Sequence, residues 1–383
     1  MKIIVACDSF KGSMTSAEAG EAAADGVRSV MPDAAVTVVP VGDGGEGTAR
    51  ALAEALGASS VPCMAHDPAG RLITTHYYIY GTTAIIETAA ASGLTLLSPA
   101  ERRPLEVDST GTGELIADAL HRGCRKIIIG LGGSATCDGG MGMLAALGIR
   151  FADASGAPLR PCGKALEEIA AIDTTGIMPE ARTATFCLAC DVTNPLTGPE
   201  GAAAVFAPQK GADAEAVERL EAGMRNYSRI AAVSTGRDMS SRPGAGAAGG
   251  IGYVLMEFFD TASSSGIDTV LDTIGFDSII AGTDLIVTGE GRIDRQTLMG
   301  KTPSGILARG KRHGIPVVAL AGSVEDRDEL LAAGFADVRG ITPAGMTLAE
   351  AMRPDIAAAN LNRAAASLIF DRKTSRHIPR YYF

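Results

Sequence analysis

Short apolar runs punctuate the chain, and each breaks off in glycine, aspartate, serine or threonine. KIIVA gives way to CDSFKGS, AVTVVPV to GDGGEGT, KIIIGL to GGSATCDGG and TFCLAC to DVTNP. Toward the end DLIVTGEG leads into RID and PVVAL into AGSV. Stretches with apolar positions three and four apart follow most of these breaks, as in GTARALAEALG and GMGMLAALG. A run that is apolar throughout fits a strand buried on both faces, and the helices between such runs supply the crossovers of a parallel sheet. The pattern predicts an α/β fold with six loops at the carboxyl ends of strands, where ligands bind in such sheets. Three segments depart from it. The stretch from about 61 to 105, with HDPAGRLITTHYYIYGTTAIIE, alternates like an antiparallel hairpin region. STGRDMSSRPGAGAAGGIG, 234–252, reads as a long loop, and the terminal DRKTSRHIPRYYF as a solvated tail.

A length of 383 residues favours two domains, and 46% hydrophobic content supports ample burial. The net charge of −10 and the lack of tryptophan exclude a basic, base-stacking nucleic-acid surface. Anionic ligands would need a local basic pocket or helix N-termini. The apolar start MKIIVA is too short for a signal-peptide core and no run spans a membrane, so no membrane partner is expected. Seven irregularly spaced cysteines point to a reducing, cytoplasmic setting, with Cys187 and Cys190 of CLAC read as core residues.

The strand-end loops gather one kind of chemistry. Asp8, Asp43, Asp138, Asp191 and Asp294 each follow an apolar run closely, and Lys11, Lys210, Arg292 and Lys301 are the cations among them. Gly44, Gly45, Gly132, Gly133, Gly139 and Gly140 would let backbone N–H groups approach a phosphate. Phosphoryl transfer from a nucleotide to a small hydroxy acid uses each of these: donors on the phosphates, carboxylates for Mg2+, and a base at the acceptor hydroxyl. Any one such loop could be only a turn or a helix cap; six together favour a site.

Several motifs fail on inspection. Gly300-Lys301-Thr302 ends like a P-loop, but the first glycine of that pattern would fall on Arg295. Gly244, Gly246 and Gly249 match the dinucleotide spacing, with Asp268 at roughly the distance of a ribose ligand, yet MSSRP stands where a strand is required. A flexible loop or hinge fits those glycines better, leaving a nucleotide-dependent oxidoreductase as the alternative reading and a non-catalytic metabolite-binding protein as another. The five histidines form no metal pair, and no G-x-S-x-G elbow is present. Asp8 follows the first strand as an aspartyl nucleophile would, but Phe10 stands where a phosphatase of that kind carries a second aspartate.

DSFKGSMTS, PVGDGGEGT, STGTGELI, GGSATCDGG, ACDVTNPL, PQKGA, GAGAAGG and TGEGRIDRQTLMGK appear in that order, and together they resemble the bacterial type-1 glycerate kinases from residue 3 to about 370. The resemblance implies phosphorylation of D-glycerate by ATP with Mg2+, commonly on the 2-hydroxyl, with 3-phosphoglycerate the other possible product. It implies two different α/β domains, one flavodoxin-like and one with restriction-endonuclease-like topology, with a cleft between them. The first, discontinuous domain would comprise 1–65 and 285–375, the inserted one 66–284, and a tail 376–383; a homodimer is compatible with it. Two departures stand out: Gly42 replaces a common alanine, and Cys137 a usual asparagine, which puts the contacts of that loop in question.

From these readings Asp191 is expected nearest the acceptor hydroxyl, with Asp294 its rival, and Lys11 and Asp8 complete the catalytic set. Substrate and phosphate contacts are expected from Ser9, Lys11, Asp43, Gly44, Gly45, Glu46, Gly132, Gly133, Ser134, Asp138, Asn194, Lys210, Arg292 and Lys301. Metal contacts are expected from Asp191, Glu290 and Asp294.

Overall fold

The structure is a computed structural model and describes residues 1–263 and 265–374. Its strands, in chain order, are β1 (Lys2–Cys7), β2 (Ala35–Val38), β3 (Ser59–His66), β4 (Leu72–Tyr80), β5 (Thr83–Glu87), β6 (Lys126–Gly130), β7 (Arg150–Ala152), β8 (Ala171–Asp173), β9 (Thr185–Ala189), β10 (Asp260–Ser263), β11 (Leu285–Ile293), β12 (Val317–Val324) and β13 (Asp337–Gly340). The chain divides into two units: Met1–Asp43 with the described residues from Val270 on, and Gly44–Thr269. The resemblance put the joints at 65/66 and 284/285. The difference has a local cause. β3 pairs along its whole length with β4 in the second unit, whereas Asp284 accepts the backbone N–H of Lys2 at 2.7 Å in the first.

The first unit is built on a five-stranded sheet in the order β13-β12-β11-β1-β2, parallel at every pairing. Ile3, Val5, Leu285, Val287, Val318 and Leu320 form its core with one face of the helix Ser16–Val30 and with Leu361, Ala365 and Leu368 of the helix Pro354–Thr374. Those two helices pack closely because Gly26 leaves no side chain: a Cβ there would lie 2.2 Å from the Asn362 carbonyl oxygen. Successive strands lie on opposite sides of β1, so the chain order reverses between β1 and β11. In such a sheet that reversal opens a crevice at the carboxyl ends of the two strands.

Two expectations change here. β11 does not give way to a loop after DLIVTGEG but runs on to Ile293, with Glu290 opposite Ala321 and Arg292 opposite Ser323, so the start of the expected RID loop is strand. Glycines make the extension possible, because a Cβ on Gly322 would stand 2.5 Å from the Gly291 carbonyl oxygen. Asp371–Thr374, read as the start of a tail, are the last turn of the helix Pro354–Thr374. The remainder of that tail, including 376–383, lies outside the described residues.

The second unit carries a six-stranded sheet in the order β10-β9-β6-β5-β4-β3, with β7 and β8 as a separate pair. β3, β4 and β5 pair antiparallel, as the alternating segment predicts. β5, β6, β9 and β10 are parallel, and β6 and β9 are the nearly continuous apolar runs. The glycine-rich stretch is a packed turn rather than an open loop. Gly244–Gly250 are all buried, and a Cβ on Gly249 would lie 2.0 Å from the Thr136 carbonyl oxygen. No strand precedes it, so its glycines serve close packing. Among the described residues no helix is long and apolar enough to cross a membrane.

Candidate active site

In the first unit, carboxylates converge at the crevice between β1 and β11. Asp8 follows β1, and its Oδ1 accepts the Ser9 N–H at 2.6 Å while Oδ2 accepts the Thr302 hydroxyl at 2.5 Å. Glu290 lies in the extended part of β11, where its Oε1 accepts the Thr297 hydroxyl at 2.8 Å. Asp8, Asp43, Glu290 and Asp294 are all buried. Burial, with Asp43 and then Glu290 nearby, pushes the Asp8 carboxyl up to about 7 against the pull of its two hydrogen bonds. Burial likewise raises Glu290 to about 7, with Asp43 adding to the rise and Lys301, Thr297 and Lys11 opposing it.

Gly300-Lys301-Thr302 makes its own kind of turn. Gly300 is left-handed at φ +106°, Lys301 caps the helix Thr302–Arg312, and buried Thr302 reaches back to Asp8. The helix N-terminus is thereby fixed beside the carboxylates without P-loop geometry. Asp294 spends its carboxylate locally. Oδ1 accepts the Gln296 N–H at 2.9 Å as a cap, and Oδ2 lies 3.3 Å from Arg292 Nε. Arg292 is exposed and also pairs with Glu325 at 2.8 Å, so its charge is already engaged by two carboxylates.

In the second unit, a pocket of about 320 Å3 opens at the carboxyl ends of β6 and β9. Gly132, Gly133 and Ser134 line it from the loop after β6, Cys190 and Asp191 from the loop after β9, and Gly44 and Lys210 complete the polar wall. Close approach demands glycine here: a Cβ on Gly44 would stand 2.5 Å from the Ala189 carbonyl carbon, and one on Gly132 2.7 Å from the Glu46 nitrogen. Lys210 is 3% exposed, and its ammonium donates to Ser134 Oγ and the Thr136 carbonyl, each at 2.8 Å. Asp191 is exposed at the rim.

Thus the first unit brings together Asp8, Ser9, Lys11, Asp43, Glu290, Asp294 and Lys301, and the second Gly44, Gly132, Gly133, Ser134, Asp191 and Lys210. Gly45 and Glu46 lie on the loop pressed against Gly132. Two expected contacts are otherwise employed. Asp138 is fully buried and accepts Ser109 N–H and Oγ–H, Gly140 N–H and Gly142 N–H, which makes it the anchor of its own loop. Asn194 donates to the Glu200 carbonyl at 2.8 Å and braces the next turn. Cys137 is also fully buried. Of the CLAC pair, Cys187 is buried as expected while Cys190 is half-buried and lines the pocket; both are free thiols. Sequence reasoning missed Thr302 and Glu87. Thr302 was legible only as the end of a failed P-loop, and Glu87 ends β5 inside the segment read for its alternation.

Among the described residues no group of three or more His, Cys, Asp or Glu is placed to hold a metal ion alone. Such a cage is not what Mg2+ requires beside phosphates, where one or two carboxylates and the substrate oxygens suffice. Asp8 and Glu290 fit that use, since both are buried carboxylates raised toward neutrality and a cation would relieve their mutual repulsion.

A profile described as the glycerate kinase family matches residues 3–371. A glycerate kinase of Bacillus subtilis (strain 168) is 42% identical over 98% of this chain and 99% of its own length. A glycerate 2-kinase of Escherichia coli (strain K12) is 42% identical over 85% of this chain and 86% of its own. A crystal structure from Salmonella typhimurium LT2, described as a glycerate kinase 2, superposes with a TM-score of 0.88 at 41% identity, covering 99% of this chain and 100% of that one.

Proposed function

The chain belongs to the glycerate kinase family, and on that premise we propose that it transfers the γ-phosphoryl group of ATP to the 2-hydroxyl of D-glycerate with Mg2+ as the accompanying ion. The observation that carries the chemistry is the buried Lys210 ammonium in a glycine-walled pocket at strand ends, with Asp191 on the same wall. It offers charge to a carboxylate or phosphate without the lysine having to move.

Asp191 takes the proton of the acceptor hydroxyl in this reading. Asp294 is its rival, with its two oxygens serving a cap and Arg292. Lys210 holds an anionic group in the pocket, and backbone N–H groups near Gly44, Gly132 and Gly133 approach oxygens that larger residues would block. In the first unit, Asp8, Asp43 and Glu290 would face the metal ion, and Lys11 and Lys301 the phosphates. When bound, Mg2+ supplies charge neutralisation on the transferring phosphates.

The strand order of the first sheet, equivalent to 2-1-3-4-5, supports the flavodoxin-like reading of that domain. The restriction-endonuclease-like description of the other is proposed on the resemblance alone. A cytoplasmic location and a homodimer belong to the same reading, and sedimentation velocity reads the subunit number.

The test is a reaction of purified protein with ATP, Mg2+ and D-glycerate followed by 31P NMR. A new phosphomonoester doublet, split by the single C2 proton, establishes the 2-phosphorylated product, and a triplet would assign the 3-hydroxyl instead. No product above ATP hydrolysis would overturn the substrate assignment.

A further inference from the structure

β5 ends in a carboxylate that none of these roles uses. Glu87 stands opposite Gly130, the last residue of β6, and its Oε1 accepts the backbone N–H of Gly47 at 2.5 Å. Gly47 is left-handed at φ +89° and precedes the helix Thr48–Leu56, whose N-terminus receives no side-chain cap of its own. Glu87 therefore caps that helix from another element, with negative charge at the end that favours it.

The bond bears on the pocket because of what Gly47 is attached to. Gly44 and Gly132 both line the pocket, and the backbone from Gly45 to Glu46 lies against Gly132 with no room for a Cβ. Inside the turn, Gly44 N–H donates to Thr48 Oγ1 at 3.0 Å and Thr48 N–H to the Gly45 carbonyl at 3.3 Å. These bonds fix the turn to its helix. Glu87 supplies a tie from the turn to the end of β5.

We propose that Glu87 is a positioning residue for the phosphoryl-transfer site: by holding Gly47 to the end of β5, its carboxylate sets the distance between the Gly44–Gly47 loop and Gly132 and so the shape of the pocket wall. This rests on the pocket being a substrate pocket. Burial, then the neighbouring Glu46, raises Glu87 to about 7 despite the Gly47 bond that opposes the rise. The charged and titratable groups facing it are Glu46 on the loop and Tyr78 on β4, and Arg50 and Glu54 on the helix act on that tyrosine in turn. A hydrogen bond to an ionised acceptor is stronger than one to a neutral acceptor. The tie accordingly tightens above about pH 7 and loosens below it.

Glu87→Gln keeps the shape and leaves a neutral acceptor, so it holds the loop as the protonated wild type does. With wild-type kinase activity first demonstrated, KM for ATP and for D-glycerate and kcat are measured from pH 6 to 8.5. The expected result for Glu87→Gln is a KM for one substrate raised about tenfold at pH 8 with kcat within about twofold, and a KM that no longer falls between pH 6 and 8. Glu87→Asp, one methylene shorter but ionisable, is expected to recover part of the pH dependence. Both KM values unchanged at pH 8 in a folded Glu87→Gln protein would overturn the proposal. So would a loss of activity that only tracks a lowered Tm. An inactive wild type would instead overturn the kinase assignment, and the two failures are thereby distinct.

Discussion

Replacing Lys210 by methionine separates catalysis from folding more sharply than any other change in the second unit. The ammonium has three N–H donors, and two are occupied by Ser134 Oγ and the Thr136 carbonyl at 2.8 Å. The third lies within reach of the weakly accepting Cys137 thiol and of the pocket that Lys210 lines, where an anion would compete successfully with the sulfur. Losing one pre-placed charge opposite an anion costs on the order of 2–4 kcal/mol of transition-state stabilisation, or roughly 30- to 1,000-fold in kcat/KM. Stability should respond differently. Burying an ammonium is itself costly, and the two lost bonds, about 1.5–3 kcal/mol each with a charged donor, are offset by a methionine of similar length that needs no solvation. Lys210→Met is therefore expected to lose at least about 30-fold in kcat/KM while its unfolding free energy stays within about 2 kcal/mol of wild type. The assays are a coupled ADP-release measurement and urea unfolding on the same preparation. Normal kcat/KM would make Lys210 structural, and a large loss of stability parallel to the loss of activity would refute the assignment of its charge to a ligand.

Other changes test other parts of the argument. Asp138→Asn must turn its NH2 group toward at least one of the N–H donors that the carboxylate now accepts; urea unfolding should show a loss of about 1–3 kcal/mol, with kcat of the folded protein nearly unchanged. Gly132→Ala places a methyl 2.7 Å from the Glu46 nitrogen, and steady-state kinetics should show KM rising about tenfold with a smaller change in kcat. Asp8 and Glu290 are both raised to about 7 by folding. The stability they contribute is then fully present below their ordinary range near pH 4 and is lost as pH rises through about 7. Urea unfolding without metal should give a lower free energy at pH 8.5 than at pH 6, by a few kcal/mol at most, with Asp8→Asn flattening the fall. A stability that climbs over that interval would contradict it.

The apolar runs were legible because a strand buried on both faces leaves no polar position to confuse the pattern. KIIVA, KIIIGL and TFCLAC each became β1, β6 and β9 with few changes at the ends. The alternating region was equally readable, since one face of β4 remains in solvent. What could not be read was pairing between distant segments. β11 runs on to Ile293 because Gly291 meets Gly322 across the sheet, a fit that involves residues 31 positions apart. The glycines at 244–249 matched a nucleotide motif by spacing, while the demand on Gly249 comes from Thr136 and Cys137 and that on Gly246 from Asn194 and Pro195, on other loops. Glu87 was hidden for the converse reason: its own segment is ordinary, and only the fold brings it to Gly47.

The same Asp-Gly-Gly triplet occurs at 43–45 and at 138–140, and the structure shows why sequence alone treats the two alike. Asp138 sits among four donors of the surrounding backbone and Ser109, which oppose the rise that burial and Asp108 give its carboxyl. Asp43 sits beside Asp8 and Glu290, and its field raises both. Hydrogen bonds from Ser9, Thr302 and Thr297 oppose that rise without cancelling it. A glycine loop with a carboxylate becomes a candidate site where several buried carboxylates crowd one another at a strand-end crevice, and an anchor where one carboxylate gathers the surrounding backbone donors. On this criterion the first unit calls for a cation and the pocket of the second, where buried Lys210 waits, calls for an anion. Under the proposed function, a chain of net charge −10 that takes a carboxylate substrate and a nucleoside triphosphate needs both, because a metal ion would let the phosphates approach carboxylates that otherwise repel them.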